Sequence, residues 1–170
     1  KNEIISASYV IPEDLEELDE NAPIILKGSF TGNRKIDEDT NIVGPSTISE
    51  FKVDKVYKGS IENDIISVLE PFEIKDNNFT NIEGYIPMEE NKEYILFLRE
   101  NDISEGKQYT IKFISFGKYN TSKEDNIVNQ KSSIKYLEEV KDSEFISESQ
   151  EICDTYINIK GEVLDKYLYK

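Results

Sequence analysis

The side chains that carry most enzymatic and metal chemistry are scarce in this 170-residue chain. There is no histidine, which excludes Ser-His-Asp and Cys-His catalysis, and imidazole-ligated zinc, within the chain. The single cysteine, Cys153, excludes internal disulfides and thiolate zinc clusters. It lies on an apolar stripe between Glu151 and Asp154, which favours a buried, unreactive thiol. We therefore expect no cofactor, no transition metal and no enzymatic activity.

Acidic side chains are the remaining candidates for chemistry. Asp37, Asp39 and Asn41 place oxygen ligands at alternate positions, as a calcium loop begins. However, Ile42 and Ile48 stand where an EF-hand needs glycine and glutamate, so a flexible polar loop is the better interpretation. With 35 acidic residues, carboxylate pairs of the glycosidase kind arise by chance, and the chain has no tryptophan to line a glycan cleft. A hydrolase is accordingly only our third hypothesis.

The overall charge excludes two classes of partner. Lysine and arginine number 20 against 35 aspartate and glutamate, a formal net charge of -15 at pH 7. A chain this acidic repels phosphate backbones and anionic lipid, so we expect no nucleic-acid partner. No apolar run approaches the roughly 20 residues of a membrane span. A protein partner of unknown identity is the class we expect.

Residue usage indicates a source and a compartment. Lysine far outnumbers arginine, which occurs only as Arg34 and Arg99, and alanine occurs only as Ala7 and Ala22. Isoleucine and asparagine are abundant, and such usage is typical of a low-GC, Gram-positive bacterium. Because the chain starts at Lys1 rather than methionine, we expect a mature or trimmed exported protein, secreted or at the cell surface. A lipid anchor before Lys1 is left open.

Length and periodicity predict one mostly-β domain over 1–170, since the chain is too short for two full domains. Pro12 and the acidic run after it predict a short helix over 12–20. Apolar and alternating runs predict a five-stranded antiparallel barrel over 24–120, and Gly28 indicates a bulge or a close backbone approach. The strands are expected at 24–31, 47–57, 64–69, 93–99 and 108–116. The expected filling of the barrel includes Phe51, Val53, Tyr94, Leu96 and Phe113.

Connections and the C-terminal part complete the predicted architecture. Residues 70–92 are rich in turn residues and predict a long excursion with one helical turn at 87–90. Residues 117–119 and 126–128 are predicted to pair as a small hairpin.

Apolar residues spaced three and four apart predict a helical segment over 131–168, with one stripe at 132–141 and a second over 145–168. We prefer helix to strand at 155–160. The second stripe is expected to pack against the barrel and to bury Phe145, Ile152, Tyr156 and Leu164.

The order of strands and turns carries a family resemblance. Its segments are 25–30 (ILKGSF), 51–60 (FKVDKVYKGS), 64–68 (DIISV), 91–98 (NKEYILFL) and 117–119 (GKY). This order resembles bacterial surface or lipoprotein domains related to the netrin-like and TIMP-like OB-fold group, and the resemblance covers roughly residues 20–120. It implies an OB-like barrel and no catalytic residue.

Two departures from that pattern limit what the resemblance implies. Asn91 replaces a glycine of the pattern. The amino-terminal cysteine by which TIMP-type inhibitors chelate a metal is missing, so that activity does not carry over.

The sequence thus predicts a non-enzymatic, exported cell-surface domain that acts by protein–protein interaction. A flat, acidic and convex surface would favour this function. The alternative is a small-molecule or cell-wall-glycan binding module that uses the 70–92 connection and the mouth of the barrel. A pocket lined by aromatic residues near 72–88 would favour it. Its expected ligand surface consists of Phe72, Phe79, Tyr85 and Pro87.

Overall fold

The computed structural model describes residues 2–5, 10–39, 44–103, 106–122, 127–129 and 142–169. The strands are β1 Asn2–Ile5, β2 Ile24–Ile36, β3 Thr47–Lys58, β4 Ile65–Glu70, β5 Phe72–Lys75, β6 Asn78–Ile82, β7 Glu93–Ile103, β8 Gly106–Ile111, β9 Lys118–Asn120, β10 Ile127–Asn129 and β11 Phe145–Ser147. The helices are α1 Leu15–Asn21 and α2 Gln150–Val163, with a 3₁₀ helix at Ile114–Gly117 and a π-helical turn at Leu164–Leu168.

Five strands close into a barrel in the order β2-β3-β4-β8-β7, and β7 pairs back onto β2. This confirms the predicted mostly-β fold with a closed five-stranded barrel, compatible with an OB-like fold. Four of the pairings are antiparallel and the β4–β8 pairing is parallel. A closed ring with an odd number of strands cannot alternate direction throughout, so one parallel pairing is required.

The strand β2 bends around the barrel and pairs with β3 on one edge and β7 on the other. Its register against β3 shifts between Lys27 and Gly28. A Cβ on Gly28 would lie 2.1 Å from the Lys52 carbonyl oxygen, so the close backbone approach predicted at this glycine is confirmed. The strand also continues beyond the predicted end at residue 31, because Arg34 to Ile36 pair with β3.

Two apolar clusters lie on the two sides of the barrel wall. Tyr94, Leu96 and Leu98 of β7 point into the barrel, whereas Ile95 and Phe97 belong to an outer cluster with α1 and α2. This burial on both faces explains the continuous apolar run of β7. The barrel interior also holds Phe51 and Val53, as predicted.

The strand β8 ends at Ile111, short of the predicted end at residue 116. Phe113 and Ile114 have φ of 59° and 53°, a left-handed conformation that terminates a strand. Phe113 is therefore partly buried in the outer cluster. The prediction that it fills the barrel is wrong.

The excursion at 70–92 begins with a β-hairpin. β5 and β6 pair across Asp76 and Asn77, which both have positive φ, as a tight hairpin turn requires. β1 adds to β6 in parallel. Residues 85–89 are irregular and buried or half-buried, so the prediction of helix at 87–90 is wrong.

Segments outside the barrel differ in part from expectation. β9 pairs with β7, and β10 pairs in parallel with β11, so the predicted hairpin between 117–119 and 126–128 is wrong. The partner strands, β7 and β11, are not adjacent in sequence to β9 and β10 through a short turn, so local turn residues do not reveal the pairing. The helical stripe predicted at 132–141 lies outside the described residues.

Both described α-helices begin at a capping side chain. α1 starts later than the predicted residue 12 because the Asp14 carboxylate accepts from the Glu17 N–H at 2.9 Å. α2 confirms helix at 155–160 and starts where the Ser149 hydroxyl accepts from the Ile152 N–H. Phe145 therefore lies in β11 rather than in a helix.

Of the four side chains expected to pack under this segment, Phe145, Tyr156 and Leu164 are buried and Ile152 is partly buried. In the part of the chain that the structure describes, no helix is long and apolar enough to cross a membrane.

Candidate functional site

The barrel is incompletely paired at the junction of β4 and β8. The parallel ladder comprises only Val68↔Tyr109 and Leu69↔Thr110. The preceding residues, 65–67 of β4 and 106–108 of β8, pair on their other edges with β3 and β7. One backbone edge of each segment therefore faces the gap between the two strands.

This gap is a groove with a volume of about 410 Å³, called here the β4–β8 groove. Its lining residues are Glu62, Asn63, Ile65, Ile66, Ser67, Asp102, Gly106, Lys107 and Tyr109. Ile66 and Tyr109 are buried and give an apolar floor, whereas Glu62 and Asp102 are exposed. Ile65 is 53% exposed.

The lysine in the groove joins its two sides. Lys107 Nζ lies 3.3 Å from Glu62 Oε1 and 3.0 Å from Glu100 Oε1. Hydrogen bonds to Glu100 and then to Glu62 raise the pKa of Lys107. Glu62 and Glu100 both pair with this one ammonium, and together with the Asp102 carboxylate of the lining they give a net charge of -2. Because the ion pairs are exposed to solvent, they add little to folding stability.

The groove residues carry no sequence motif that points to a site. The available signal was weak: acidic residues flank two short strands, with Glu62 before β4 and Asp102 before the turn into β8. Nothing in the spacing shows that β4 and β8 are neighbours, because 35 residues lie between them and they pair over only two positions.

The aromatic residues proposed as a ligand surface lie elsewhere. Phe72, Phe79 and Tyr85 belong to the barrel core, and Pro87 is also buried. The Phe72 ring centroid is 6.2 Å from that of Phe79 and 6.4 Å from that of Tyr85. The structure thus brings these residues together, but as core packing rather than as an open surface.

A buried carboxylate anchors the excursion to the barrel. Glu70 Oε1 accepts from Arg34 Nη2 at 3.2 Å and from the Ser49 hydroxyl at 2.5 Å. Glu70 Oε2 accepts from the Tyr85 hydroxyl at 2.6 Å and from the Met88 N–H at 2.8 Å. Burial, followed by the charge of Glu70, raises the pKa of Tyr85 well above its usual range. With both oxygens occupied by the protein itself, this cluster supports packing rather than catalysis.

Two buried lysines lie near strand β9. Lys118 Nζ is 4.9 Å from the Tyr85 ring centroid and 5.4 Å from that of Tyr94, and burial lowers the pKa of Lys118 to about 8. The second, Lys160, has its Nζ 2.5 Å from Glu144 Oε1, and both side chains of this ion pair are buried.

The ion pair of Lys160 and Glu144 is satisfied by further contacts. Lys160 Nζ also donates to Asn120 Oδ1, at 2.9 Å. Glu144 Oε2 accepts from the Tyr156 hydroxyl at 2.9 Å and from the Asn120 N–H at 2.8 Å. These contacts attach α2 to β9 and serve the fold.

The remaining candidates from the sequence are structural. Cys153 is buried, as predicted, and burial raises the pKa of its thiol, which disfavours the reactive thiolate. Asp37 accepts from the Asp39 N–H and from the Ser46 hydroxyl, while Asn41 lies outside the described residues. Within the described ranges, no three acidic or cysteine side chains are grouped to hold a metal ion.

Comparison with known proteins finds no matching family model, curated protein or solved structure. The similarity to netrin-like and TIMP-like domains therefore depends on the strand pattern alone. The closed five-stranded barrel agrees with the coarser part of that resemblance. Asn91, which stands where the pattern has glycine, has φ of 66°, a left-handed conformation that glycine adopts without strain and asparagine tolerates.

Proposed function

We propose that this protein is a non-enzymatic binding module that acts by protein–protein contact at the β4–β8 groove. The observation that carries the proposal is a pair of partly free strand edges beside an acidic rim. Free strand edges are templates for pairing with another chain. The net negative charge selects a basic partner and speeds its encounter.

Two features support a binding role over catalysis. The chain has no histidine, the usual proton-transfer residue near neutral pH. Its buried carboxylates, Glu70 and Glu144, both accept hydrogen bonds from the protein on each oxygen, so neither is free to meet a substrate.

A small-molecule binding module is the second candidate. A volume of about 410 Å³ is within the range of small-ligand sites, which favours this alternative. The residues that line the groove disfavour a glycan ligand, because the aromatic residue among them, Tyr109, is buried and cannot stack on a sugar ring. The aromatic residues near 72–88 that would have favoured the alternative are enclosed in the core.

The compartment is also part of the proposal. Residue usage supports a low-GC bacterial source, and we place the protein outside the cell, secreted or at its surface, in line with the resemblance to surface domains. Kinship with netrin-like and TIMP-like surface domains is supported by the barrel and by the strand pattern.

An array of immobilised random octapeptides tests the proposed function. We expect the wild-type protein to enrich peptides rich in lysine and arginine. The double variant Glu62→Gln/Asp102→Asn should reduce that signal by about threefold or more, since each rim charge contributes a fraction of a kcal/mol. The matched control, Glu16→Gln/Glu20→Gln, removes the same charge from the exposed surface of α1 and should leave the signal unchanged.

Two results of the array would contradict the proposal. One is the absence of any enriched peptide class with the wild-type protein. The other is an equal loss of signal in the groove variant and in the α1 control, which would show that only overall charge matters.

A further inference from the structure

We propose that Tyr57 and Tyr167 form a modification site, at which a one-electron oxidant joins the two phenol rings in an intramolecular dityrosine cross-link. The inference is independent of the proposed function, because neither tyrosine lines the β4–β8 groove. Three observations carry it: the contact between the two rings, the carboxylate that binds the Tyr167 hydroxyl, and the burial of the side chains that oxidise most readily.

The two rings meet where the end of β3 passes the C-terminal turn. Their centroids are 4.7 Å apart and their planes are tilted by 42°, so the rings are in van der Waals contact. Tyr167 lies in the π-helical turn at Leu164–Leu168, and its ring centroid is 6.2 Å from that of Phe97. Both tyrosines are half-buried, so packing orders the pair while a small oxidant still has access to it.

The Asp19 carboxylate is placed to take the phenol proton of Tyr167. The Tyr167 hydroxyl donates to Asp19 Oδ1 at 2.6 Å, and Lys166 Nζ pairs with the other carboxylate oxygen. Burial, followed by the hydrogen bond to Asp19, raises the pKa of Tyr167, so the phenol keeps its proton at neutral pH. A neutral phenol loses an electron more readily when a positioned base accepts its proton, because no cationic radical then forms.

The other readily oxidised side chains are scarce and buried. The chain has no tryptophan, and its one methionine and one cysteine, Met88 and Cys153, are each 1% exposed. Oxidation of thiols and thioethers follows their exposure, so these two are protected. A second pair of tyrosines, Tyr119 and Tyr156, stacks with centroids 4.8 Å apart, but both are fully buried. Among the described residues, the half-buried pair is therefore the one in which two accessible phenols meet.

The cross-link forms by a balanced two-electron oxidation. Two equivalents of the oxidant are reduced, each by one electron, and each phenol supplies one of these electrons. The Tyr167 proton passes to Asp19 and the Tyr57 proton passes to water, which leaves two neutral phenoxyl radicals. Their unpaired electrons form a carbon–carbon bond between ring positions ortho to the oxygens. The hydrogen on each coupled carbon then moves to its oxygen as a proton and restores both phenols.

The test oxidises the full chain in dilute solution with tris(bipyridyl)ruthenium(III), a small one-electron oxidant generated by light and persulfate. We expect dityrosine fluorescence in the monomer fraction. Mass spectrometry after proteolysis should find two fragments joined through residues 57 and 167, lighter than their sum by two hydrogen atoms. The cross-linked protein should melt about 10 °C higher, because the new bond closes the loop between these residues in the unfolded state.

Matched variants assign the two rings and the proton acceptor. Tyr57→Phe and Tyr167→Phe each keep an aromatic ring but lack the phenol, and each should abolish the cross-link. The control Tyr169→Phe removes an exposed tyrosine of the same segment and should leave the yield unchanged. Asp19→Asn lacks the basic oxygen and should slow the reaction by about tenfold or more. Circular dichroism checks that each variant keeps the wild-type fold.

Three outcomes would overturn the proposal. One is a cross-link that maps to Tyr119 and Tyr156, or to Tyr169. Another is a yield that rises with protein concentration, which would show that the bond joins separate chains. The third is an undiminished yield in Tyr57→Phe. An unchanged rate in Asp19→Asn would overturn the assignment of the proton acceptor.

Discussion

Two glycines show how one substitution has opposite effects at different positions. At Gly28 an added Cβ would meet the Lys52 carbonyl oxygen at 2.1 Å and a Phe51 ring carbon at 2.7 Å. At Gly161, in α2, nothing lies within 4 Å of the added atom. The first glycine is required by a backbone contact, and the second only weakens a helix.

We therefore predict that Gly28→Ala destabilises the protein by about 2 kcal/mol or more, because the backbone of β2 or β3 must move. Gly161→Ala should stabilise it by about 0.5–1 kcal/mol, the gain in helix propensity. Urea denaturation of both variants measures the difference. A neutral Gly28→Ala variant would show that the strands separate freely at this point.

The buried ammonium of Lys118 gives the protein a distinctive pH dependence. Burial lowers the pKa of Lys118 to about 8, whereas a solvated lysine of the unfolded chain has its ordinary pKa of 10.5. Between these two values the unfolded state binds more protons than the folded state, so stability rises with pH in this window. Below about pH 8 both states are protonated, and the cost of burying the charge is present in full.

We predict that wild type gains about 2 kcal/mol between pH 7 and pH 9.5 relative to Lys118→Met, which buries no charge. Lys118→Met serves as the reference because Cys153 titrates in both proteins. Burial raises the pKa of the Cys153 thiol, which makes the stability of each protein fall as the pH rises. Urea denaturation over this pH range measures the difference. Parallel curves for the two proteins would show that Lys118 is not buried as a charge.

At the scale of elements, α2 is held by one face. Cys153, Tyr156, Ile159 and Val163 of this helix are buried in the outer cluster. The Tyr156 hydroxyl also donates at 2.6 Å to the carbonyl oxygen of Lys118. The neighbouring Ile157 is 37% exposed.

Tyr156→Ala should therefore cost about 3–5 kcal/mol, since it leaves a cavity and removes the hydroxyl whose one proton is shared between the Lys118 carbonyl oxygen and Glu144 Oε2. Ile157→Ala, one position further in the same helix, should cost less than about 1 kcal/mol. Thermal or urea denaturation measures both. Equal effects would mean that α2 packs in another orientation.

At the scale of the whole molecule, the barrel depends on an outer layer. Ile95 and Phe97 of β7 and Phe116 beyond β8 are buried under α2 and its neighbours rather than in the barrel. Each large apolar side chain loses about 1.5–3 kcal/mol when it becomes exposed to water. The C-terminal segment thus covers a face that the barrel cannot bury alone.

We predict that a chain truncated after residue 141 unfolds or aggregates, because β11 and α2 are lost and this face is exposed. Far-ultraviolet circular dichroism and size-exclusion chromatography measure the outcome. An unchanged melting temperature would show that the segment is an independent tail.

Local patterns in the sequence predicted the elements whose cause is local. The alternation of β3, the apolar run of β7 and the spacing of apolar residues in α2 each follow from one segment and the surface it buries. Errors occurred where a distant partner decided the outcome. β9 and β10 pair with strands far away in the chain, and Phe72, Phe79 and Tyr85 became core because the hairpin folds over the barrel.

The sequence by itself determined the strand-rich barrel, the acidic charge and the absence of histidine chemistry, since these depend on residue type and short-range periodicity. Only the tertiary structure decided that β4 and β8 lie side by side and separate before Val68. The closure of an odd number of strands requires one parallel pair, and its position follows from the chain's path through the 70–92 excursion. The groove exists because that pair is short, which no local pattern encodes.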